Sequence, residues 1–450
     1  MAASDTTTTA PPEVPVPEEL GQRSRFAIAF RALGHRNFQY FFSGQMISLI
    51  GTWMQTIGEA WLVYRLTHSG FLLGAVAFVG RFPIFLFAPL GGIVADRWNR
   101  RLVVIVTQVS SMILAFILAA LTLTHLVTVW EVMLLAALLG IVNAFDIPAR
   151  QTFLMDMVGR SDLMNAIALN SSMFNGARVL GPAVAGVLVA SIGEGWCFFA
   201  NAVSYIAVIV GLLLMKVTPP PREESTATPL ERIMEGFRFV YHTTPIFALL
   251  LLIGLISLVA MPYTVLMPIF ADKILHGNAR TLGALMGATG VGAFLGAFTL
   301  ALRTGLQGLS RVVALSCASF GAALILFSFS RSFYLSLLLL IPVGYSMMLQ
   351  MACSNTLIQS MAPDRLRGRV MSSYSMMFMG MAPLGAMYGG ALAQRIGAPW
   401  TVAIGGMGSL IGAAIFWHYV PQIRTEARRL IQAQQQASKA QQQQPVAAHR

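Results

Sequence analysis

The amino-acid sequence alternates between long apolar runs and short polar segments. The runs are about 18 to 25 residues long, which is the length that an α-helix needs to cross a bilayer. Twelve spans are predicted, numbered 1 to 12 in chain order: 38–64, 71–95, 102–124, 128–149, 163–191, 196–216, 245–271, 280–302, 310–329, 333–358, 370–394 and 399–420. The pattern therefore predicts an all-α membrane protein with twelve transmembrane helices.

Polar segments divide the chain into five parts. Residues 1–25 are polar and rich in proline, which predicts a disordered N-terminal tail. Residues 26–217 and 245–421 are each predicted to form a six-helix half. Between them, residues 218–244 form a polar linker that is predicted to include a short amphipathic helix on the cytoplasmic surface. Residues 422–450 are predicted to be a cytoplasmic, Gln-rich tail.

The second half repeats part of the first. Residues 152–214 align with residues 356–418 without a gap, and the Ile-Gly-x-x-Trp segment at 192–196 then falls on the one at 396–400. Chance similarity between helices rich in Gly and Ala is the alternative. The gapless stretch covers two helices and their loops, so it favours a duplication that makes two pseudo-symmetric halves.

Composition and charge agree with a membrane protein. The chain is 56% hydrophobic and 11% charged, whereas roughly a quarter of the residues of a soluble protein are charged. The net charge of +12 does not indicate nucleic-acid binding, because the charges lie in short loops. Of the 30 Lys and Arg residues, 23 fall on the side of the two tails, 5 on the other side and 2 within spans. This bias predicts that both termini are cytoplasmic.

Several kinds of chemistry lack their motifs. The three cysteines lie inside apolar runs without metal-ligand spacing, so we interpret them as core residues. No Gly-x-x-x-x-Gly-Lys loop is present, so ATP is not expected to be the direct energy source. No cofactor, metal or catalytic nucleophile is predicted.

A short charged segment, residues 91–101, separates spans 2 and 3, and we call it the charged turn. Its defining residues are Gly92, Asp96, Arg97, Arg100 and Arg101. Such a cluster cannot lie in hydrocarbon, so it marks a tight turn at the membrane surface. The segment resembles the Gly-x-x-x-Asp-Arg-x-Gly-Arg-Arg signature of the major facilitator superfamily. Asn99 replaces the second Gly, and because Asn tolerates positive φ, we expect the turn to persist.

Residues 30–420 resemble major facilitator permeases of the bacterial transmembrane secretion effector group, which includes siderophore and macrolide exporters. Supporting segments are Gly-Thr-Trp-Met-Gln at 51–55, Asn-Ala-Phe-Asp-Ile-Pro-Ala-Arg at 143–150 and Asn-Ala-Ile-Ala-Leu-Asn at 165–170. The resemblance implies the major facilitator fold and rocker-switch export of a siderophore, macrolide or other amphipathic molecule by proton antiport. It also implies a monomer in the bacterial inner membrane, whose partners are the substrate, protons and the lipid bilayer. The alternatives are an importer or proton-independent facilitator, and a non-transporting sensor or scaffold.

The resemblance also assigns roles to the charged turn. Asp96 is expected to cap the start of span 11 when the cytoplasmic side is closed, since a carboxylate is favoured at a helix N-terminus. The three arginines of the turn are expected to pair with acids of the other half or with lipid phosphate, or simply to hold the loop inside. Arg150 is expected to join this charge relay.

Span 5 contains a second motif. Gly181, Pro182 and Gly186 resemble the Gly-Pro motif of major facilitator exporters. Proline bends a helix and glycine allows close helix approach. Generic packing of small residues is the alternative interpretation.

Charged residues within the spans are candidates for coupling and substrate binding. Arg81 and Arg178 need a carboxylate or a hydrated cavity, and Glu59 and Asp146 are the predicted partners and proton carriers. A structural ion pair is the alternative, or, for Glu59, a position near the outer surface. Asp156 and Asp272 are assigned to loops. The predicted substrate cavity is lined by Arg178, Arg81, Gln45, Gln55, Asn143, Asn170, Asn175, Tyr345, Gln350 and Asn355.

Overall fold

The computed structural model describes residues 30–217, 238–303 and 308–443. The helices are α1 Arg36–Thr67, α2 Gly70–Arg97, α3 Arg100–Leu123, α4 Val129–Gly159, α5 160–192, α6 Glu194–Leu214, α7 Thr244–Ile274, α8 Ala279–Ala301, α9 Leu309–Phe329, α10 Phe333–Met361, α11 Asp364–Ile396 and α12 Ala398–Gln443. A 3₁₀ turn at Arg31–Gly34 precedes α1. The described part of the chain contains no β-strand.

Most helix bounds follow the predicted spans closely, but α4 and α12 continue well beyond the predicted ends of their spans. Span 4 was predicted to end at 149, next to Pro148, but α4 continues through this proline to Gly159. There the backbone adopts φ 73°, which favours glycine and separates α4 from α5. Because α4 is longer than predicted, Asp156 lies in a helix and not in a loop.

Parts of three predicted segments lie outside the described residues. They are the whole N-terminal tail at 1–25, most of the linker at 218–244, and the last residues, 444–450, of the C-terminal tail. Within the predicted Gln-rich tail, helix α12 continues to Gln443.

Ten of the described helices are long and apolar enough to cross a membrane, namely α2 to α4 and α6 to α12. Helices α1 and α5 do not meet the same measure. Helix α1 carries buried polar side chains, among them Gln45, Ser48 and Gln55, which lower its hydropathy. The count of twelve spans therefore stays a prediction.

Two seams join α1–α6, which we call the first set, to α7–α12, the second set. Helix α2 packs along α11, and α5 packs along α8. In the second seam, a Cβ added at Gly186 would meet the backbone of Gly283. In the first, a Cβ at Gly74 would meet the backbone of Ala386 and Gly390. The helices therefore touch backbone to backbone, which only small residues permit.

The seam glycines lie toward one end of the bundle. We call the end that carries the charged turn the turn end, and the opposite end the far end. Gly74 is near the start of α2 and Gly390 near the finish of α11, and both of these helix termini are at the far end. Gly186 and Gly283 lie toward the same end, near the finish of α5 and the start of α8.

The predicted repeat has a local counterpart in the backbone. Gly193 follows α5 with φ 84° and ψ 165°, and Gly397 follows α11 with φ 87° and ψ 156°. These residues are aligned by the repeat, so the two copies end their helices with the same conformation.

Candidate functional site

The charged turn is built without a positive φ. Helix α2 ends at Arg97 and α3 begins at Arg100. Asn99 has φ −67° and ψ 110°, so the turn persists as expected but does not use the positive φ that Asn tolerates. Instead, its side chain accepts a hydrogen bond from the backbone N–H of Leu102 at 3.3 Å. Asn99 therefore sustains the turn by capping α3.

Two arginines of the turn are fastened to the first set of helices. Arg100 Nη1 lies 2.8 Å from Asp156 Oδ1 on α4. Arg101 donates from Nε to the carbonyl of Leu212 at 2.8 Å and from Nη2 to that of Leu213 at 3.0 Å, at the end of α6. These partners lie in the first set, whereas the sequence suggested acids of the other half or lipid. Basic side chains at a helix C-terminus satisfy its last carbonyls.

The rest of the charged turn is open. Asp96 and Arg97 are exposed, and neither makes a hydrogen bond or ion pair with a described residue. A Cβ added at Gly92 would meet no atom within 4 Å. Asp96 does not cap α11 in this structure, so its expected latch is unformed here.

Asp146 is buried, and both of its carboxylate oxygens have polar partners. It is 3% exposed. Its Oδ1 accepts hydrogen bonds from Thr107 Oγ1 at 2.8 Å and Gln108 Nε2 at 3.0 Å. Its Oδ2 lies 3.4 Å from Arg150 Nε, one helical turn along α4. The guanidinium of Arg150 lies over the ring of Phe174, 5.1 Å from its centroid. Asp146 thus orients Arg150 between α3 and α5.

Glu59 occupies a different environment. It lines a small pocket with Gln55 and with apolar side chains of α3 and α4, such as Leu118 and Val132. Arg81 on α2 is the opposite charge that acts on Glu59, yet the two form no ion pair within 4 Å. No described residue donates a hydrogen bond to the Glu59 carboxylate. Sequence analysis proposed Arg178 as its partner, but the Arg178 side chain lies outside the described ones.

The predicted cavity residues divide by burial. Gln45, Gln55 and Gln350 are buried. Gln55 accepts a hydrogen bond from Asn201 Nδ2 at 2.6 Å, so it belongs to a contact between α1 and α6. The Oε1 atom of Gln45 and both polar side-chain atoms of Gln350 form no hydrogen bond with any residue that the structure describes. Gln45 and Gln350 therefore retain hydrogen-bonding groups that a ligand could satisfy.

The other predicted cavity residues are less buried. Asn143, Asn170, Tyr345 and Asn355 are half-buried. Asn355 Oδ1 accepts a hydrogen bond from Gln359 Nε2 on the same helix at 2.6 Å. The side chain of Asn175 lies outside the described ones.

The Gly-Pro motif of α5 contacts two neighbouring helices, α1 and α8. A Cβ added at Gly181 would meet the side chain of Trp53 on α1. Gly186 meets Gly283 on α8, and Pro182 is buried beside the same crossing. The motif therefore forms one of the two seams between the sets.

The far end contains a polar contact that the sequence did not predict. Tyr64 on α1 donates a hydrogen bond to Asp272 Oδ2 at 2.9 Å. Close by, Ser69 Oγ donates a hydrogen bond to Gln394 Oε1 at 3.1 Å. Asp272 was assigned to a loop but lies in a π-helical turn, Phe270–Ile274, that finishes α7. No local pattern could have shown the pairing, because Tyr64 and Asp272 are 208 residues apart.

The substitution Tyr64→Phe is expected to favour opening of the far end. It removes one hydrogen bond to a carboxylate, whose net worth is about 1.5 kcal/mol or more, so the open population should rise about tenfold. The measurement is the labelling rate of a cysteine introduced at Phe85, between α2 and α11, in a variant without native cysteines. Tyr334→Phe, at an exposed tyrosine that starts α10, is the control; equal labelling rates for the two variants would contradict the expectation.

Comparison with known proteins gives a consistent result. The sequence profile of transmembrane secretion effectors matches residues 27–449. The staphyloferrin A transporter of Staphylococcus aureus (strain NCTC 8325 / PS 47) is 29% identical, over 84% of this chain and 95% of the relative. The multidrug efflux pump Tap of Mycolicibacterium fortuitum is 28% identical, over 77% and 87%. The enterobactin exporter of Shigella boydii serotype 4 (strain Sb227) is 26% identical, over 90% and 95%.

Solved structures share the fold. A bacterial homologue of the iron transporter ferroportin in an inward-facing state superposes with a TM-score of 0.67 at 16% identity, over 85% of this chain and 98% of that one. A bacterial homologue of the human lysosomal transporter Spinster, inward-facing and unoccupied, gives 0.62 at 17% identity, over 88% and 97%. At these identities the likeness concerns the fold alone.

Proposed function

The chain belongs to the transmembrane secretion effector family of major facilitator superfamily transporters, and on that premise we propose that it exports a small amphipathic molecule by proton antiport. It is a multi-pass membrane protein and a transporter, not an enzyme. Relatives named for a siderophore or for multidrug efflux support a siderophore or a drug-like compound as the substrate. In the proposal, α1–α6 and α7–α12 are two six-helix halves that rock about a central site.

The observation that carries the proposal is the asymmetry between the two ends. The two hydrogen bonds that join described side chains of the two sets, Tyr64–Asp272 and Ser69–Gln394, both lie at the far end. The glycine seams lie toward that end too, while Asp96 at the turn end has no partner among the described residues. The excess of Lys and Arg supports a cytoplasmic turn end. With that orientation the described contacts between the two sets lie on the outer side, which supports a conformation that loads substrate from the cytoplasm, as export requires.

Glu59 is our first choice as the proton carrier. Its carboxylate has no hydrogen-bond donor among the described residues, whereas Asp146 has two donors and a cation. A carboxylate held by donors is favoured in its charged form, and one without them loses this stabilisation. Protonation of Glu59 would leave Arg81 uncompensated, so it changes the charge of the space between α1 and α2. Asp146 remains the second candidate.

Flux through reconstituted protein tests the proposal. Inside-out proteoliposomes would be incubated with a panel of siderophores and macrolides in the external medium, with and without an imposed pH gradient, and accumulation in the lumen would be measured. Accumulation that follows the gradient in the export direction is the expected result. Uptake in the opposite direction indicates an importer, flux that ignores the gradient indicates a facilitator, and the absence of flux for the whole panel contradicts transport of these classes.

The substitution Asp96→Asn is expected to slow transport by about 2- to 5-fold. A carboxylate at a helix N-terminus contributes about 0.3–1 kcal/mol, and in the proposed cycle Asp96 caps α11 only when the turn end closes. The rate and the amount of inserted protein are measured together, and insertion is expected to stay unchanged. Asp162→Asn, at an acid that pairs with Arg31 within the first set, serves as a comparison. Unchanged transport by inserted Asp96→Asn protein would rule out the latch.

A further inference from the structure

A cleft of about 350 Å³ opens between α4 and α5. Its lining residues are Ile147, Arg150, Gln151, Leu154, Asn170, Ser171 and Phe174. This volume lies within the range of small-molecule sites, which are mostly apolar with a few convergent polar groups. The cleft combines an apolar wall, one cation, two amides and one hydroxyl.

The guanidinium of Arg150 is held in place but keeps hydrogen-bond donors that no described residue satisfies. Its Nε faces Asp146 at 3.4 Å, and its plane lies over Phe174. Its Nη1 and Nη2 groups make no hydrogen bond with a described residue, although only 17% of the side chain is exposed. A fixed fork of parallel N–H donors matches the two oxygens of a carboxylate. The fork therefore calls for an oxyanion.

Asp146 does not prevent an anion from binding there. Its oxygens accept from Thr107 and Gln108 and face the Nε side of Arg150, and its side chain is 5% exposed. The carboxylate is thus turned toward α3 and compensates the cation from behind. A ligand in the cleft meets the Nη side of the guanidinium.

Asn170 supplies a second requirement. Its Oδ1 atom is buried and has no hydrogen-bond partner within the described part of the chain. A buried acceptor without a donor is costly, so a ligand that carries a donor gains affinity by satisfying it. Ile147, Leu154 and Phe174 complete the wall with apolar surface. A small, largely apolar molecule with a carboxylate and a hydroxyl group complements this lining.

We propose that the cleft between α4 and α5 binds a hydroxylated aromatic carboxylate. Arg150 holds the carboxylate through its Nη groups, Asn170 accepts a hydrogen bond from the hydroxyl, and Ile147 and Leu154 contact the ring. Binding at this site does not require the proposed export function. Only the further step, that this anion or a larger molecule carrying the same group is transported, rests on that function. The site commits to a class of ligand that the motifs of the chain do not specify.

Titration calorimetry on purified protein in lipid nanodiscs tests the site with 3-hydroxybenzoate as the probe. Its uncharged amide, 3-hydroxybenzamide, tests the need for the carboxylate, and benzoate tests the hydroxyl. Arg150→Lys keeps the charge but loses the fork, and about 10- to 100-fold weaker binding is expected. Asn170→Leu is expected to remove the preference for 3-hydroxybenzoate over benzoate. Arg311→Lys, at an exposed arginine of α9, is the matched control and is expected to bind as the wild type does.

Three results would overturn the site. They are wild-type affinity in Arg150→Lys, equal affinity for the amide and the carboxylate, and no binding of 3-hydroxybenzoate up to about 10 mM, where a single weak site would still be detected. Failure of this site leaves gradient-driven flux of other molecules unaffected. Conversely, binding without flux would retain the site and contradict only its role in export.

Discussion

Replacing Glu59 with Gln is expected to remove the dependence of export on a pH gradient. A wild-type antiporter that exchanges one proton per substrate accumulates the substrate about tenfold for each pH unit, because one unit corresponds to about 1.4 kcal/mol per proton. An amide cannot bind and release that proton, so the accumulation ratio is expected to fall to about one. The measurement is the steady-state ratio in proteoliposomes at several imposed gradients.

Exchange at equilibrium separates lost coupling from lost folding. Glu59→Gln protein is expected to exchange labelled for unlabelled substrate across the bilayer, because that reaction needs alternating access but no net proton movement. Glu426→Gln, at a half-buried acid of α12, is expected to behave as the wild type does. Gradient-driven accumulation that persists in Glu59→Gln and disappears in Asp146→Asn would transfer the coupling role to Asp146.

Adding one methyl group at Gly186 is expected to hold the far end open. In Gly186→Ala the new Cβ meets the backbone of Gly283, which has no side chain that could rotate away. Overpacking of this kind costs about 1–3 kcal/mol, which lowers the population closed at the far end by about 5- to 150-fold. Transport is expected to fall accordingly, and labelling of a cysteine at Phe85 from the far side is expected to increase.

The same helix supplies the control. Gly176 also lies in α5, but a Cβ added there would meet no atom within 4 Å. Gly176→Ala therefore introduces the same methyl group without a clash, and alanine is also the better helix former. Wild-type transport and labelling are expected for this variant. If both variants behave alike, the Gly186–Gly283 seam does not control opening.

How far the site could be predicted is illustrated by three acids. Asp146 and Arg150 have the i, i+4 spacing of an ion pair on one helix face, and the structure contains this pair. Asp156 was misplaced because Pro148 was taken as the end of a helix that continues past it. Asp272 was misplaced because a π-helical turn extends α7, and neither its turn nor its partner Tyr64 leaves a local signal in the sequence.

Asn99 shows the limit of reasoning by substitution. The sequence indicated correctly that a turn with Asn in place of Gly could persist, but the reason was wrong. The residue uses its side-chain oxygen as a helix cap and has an ordinary negative φ. Both solutions fit a short polar turn, and only the backbone dihedral angles distinguish them.

The sequence by itself determined the class of protein and the approximate position of most helices. An apolar segment of about 20 residues has few options in a bilayer, because each backbone polar group must be satisfied within the segment. Which faces meet was decided only by the tertiary structure. Membrane helices are apolar on nearly all sides, so their periodicity does not show that Gly186 meets Gly283 or that the Arg150 fork opens into a cleft.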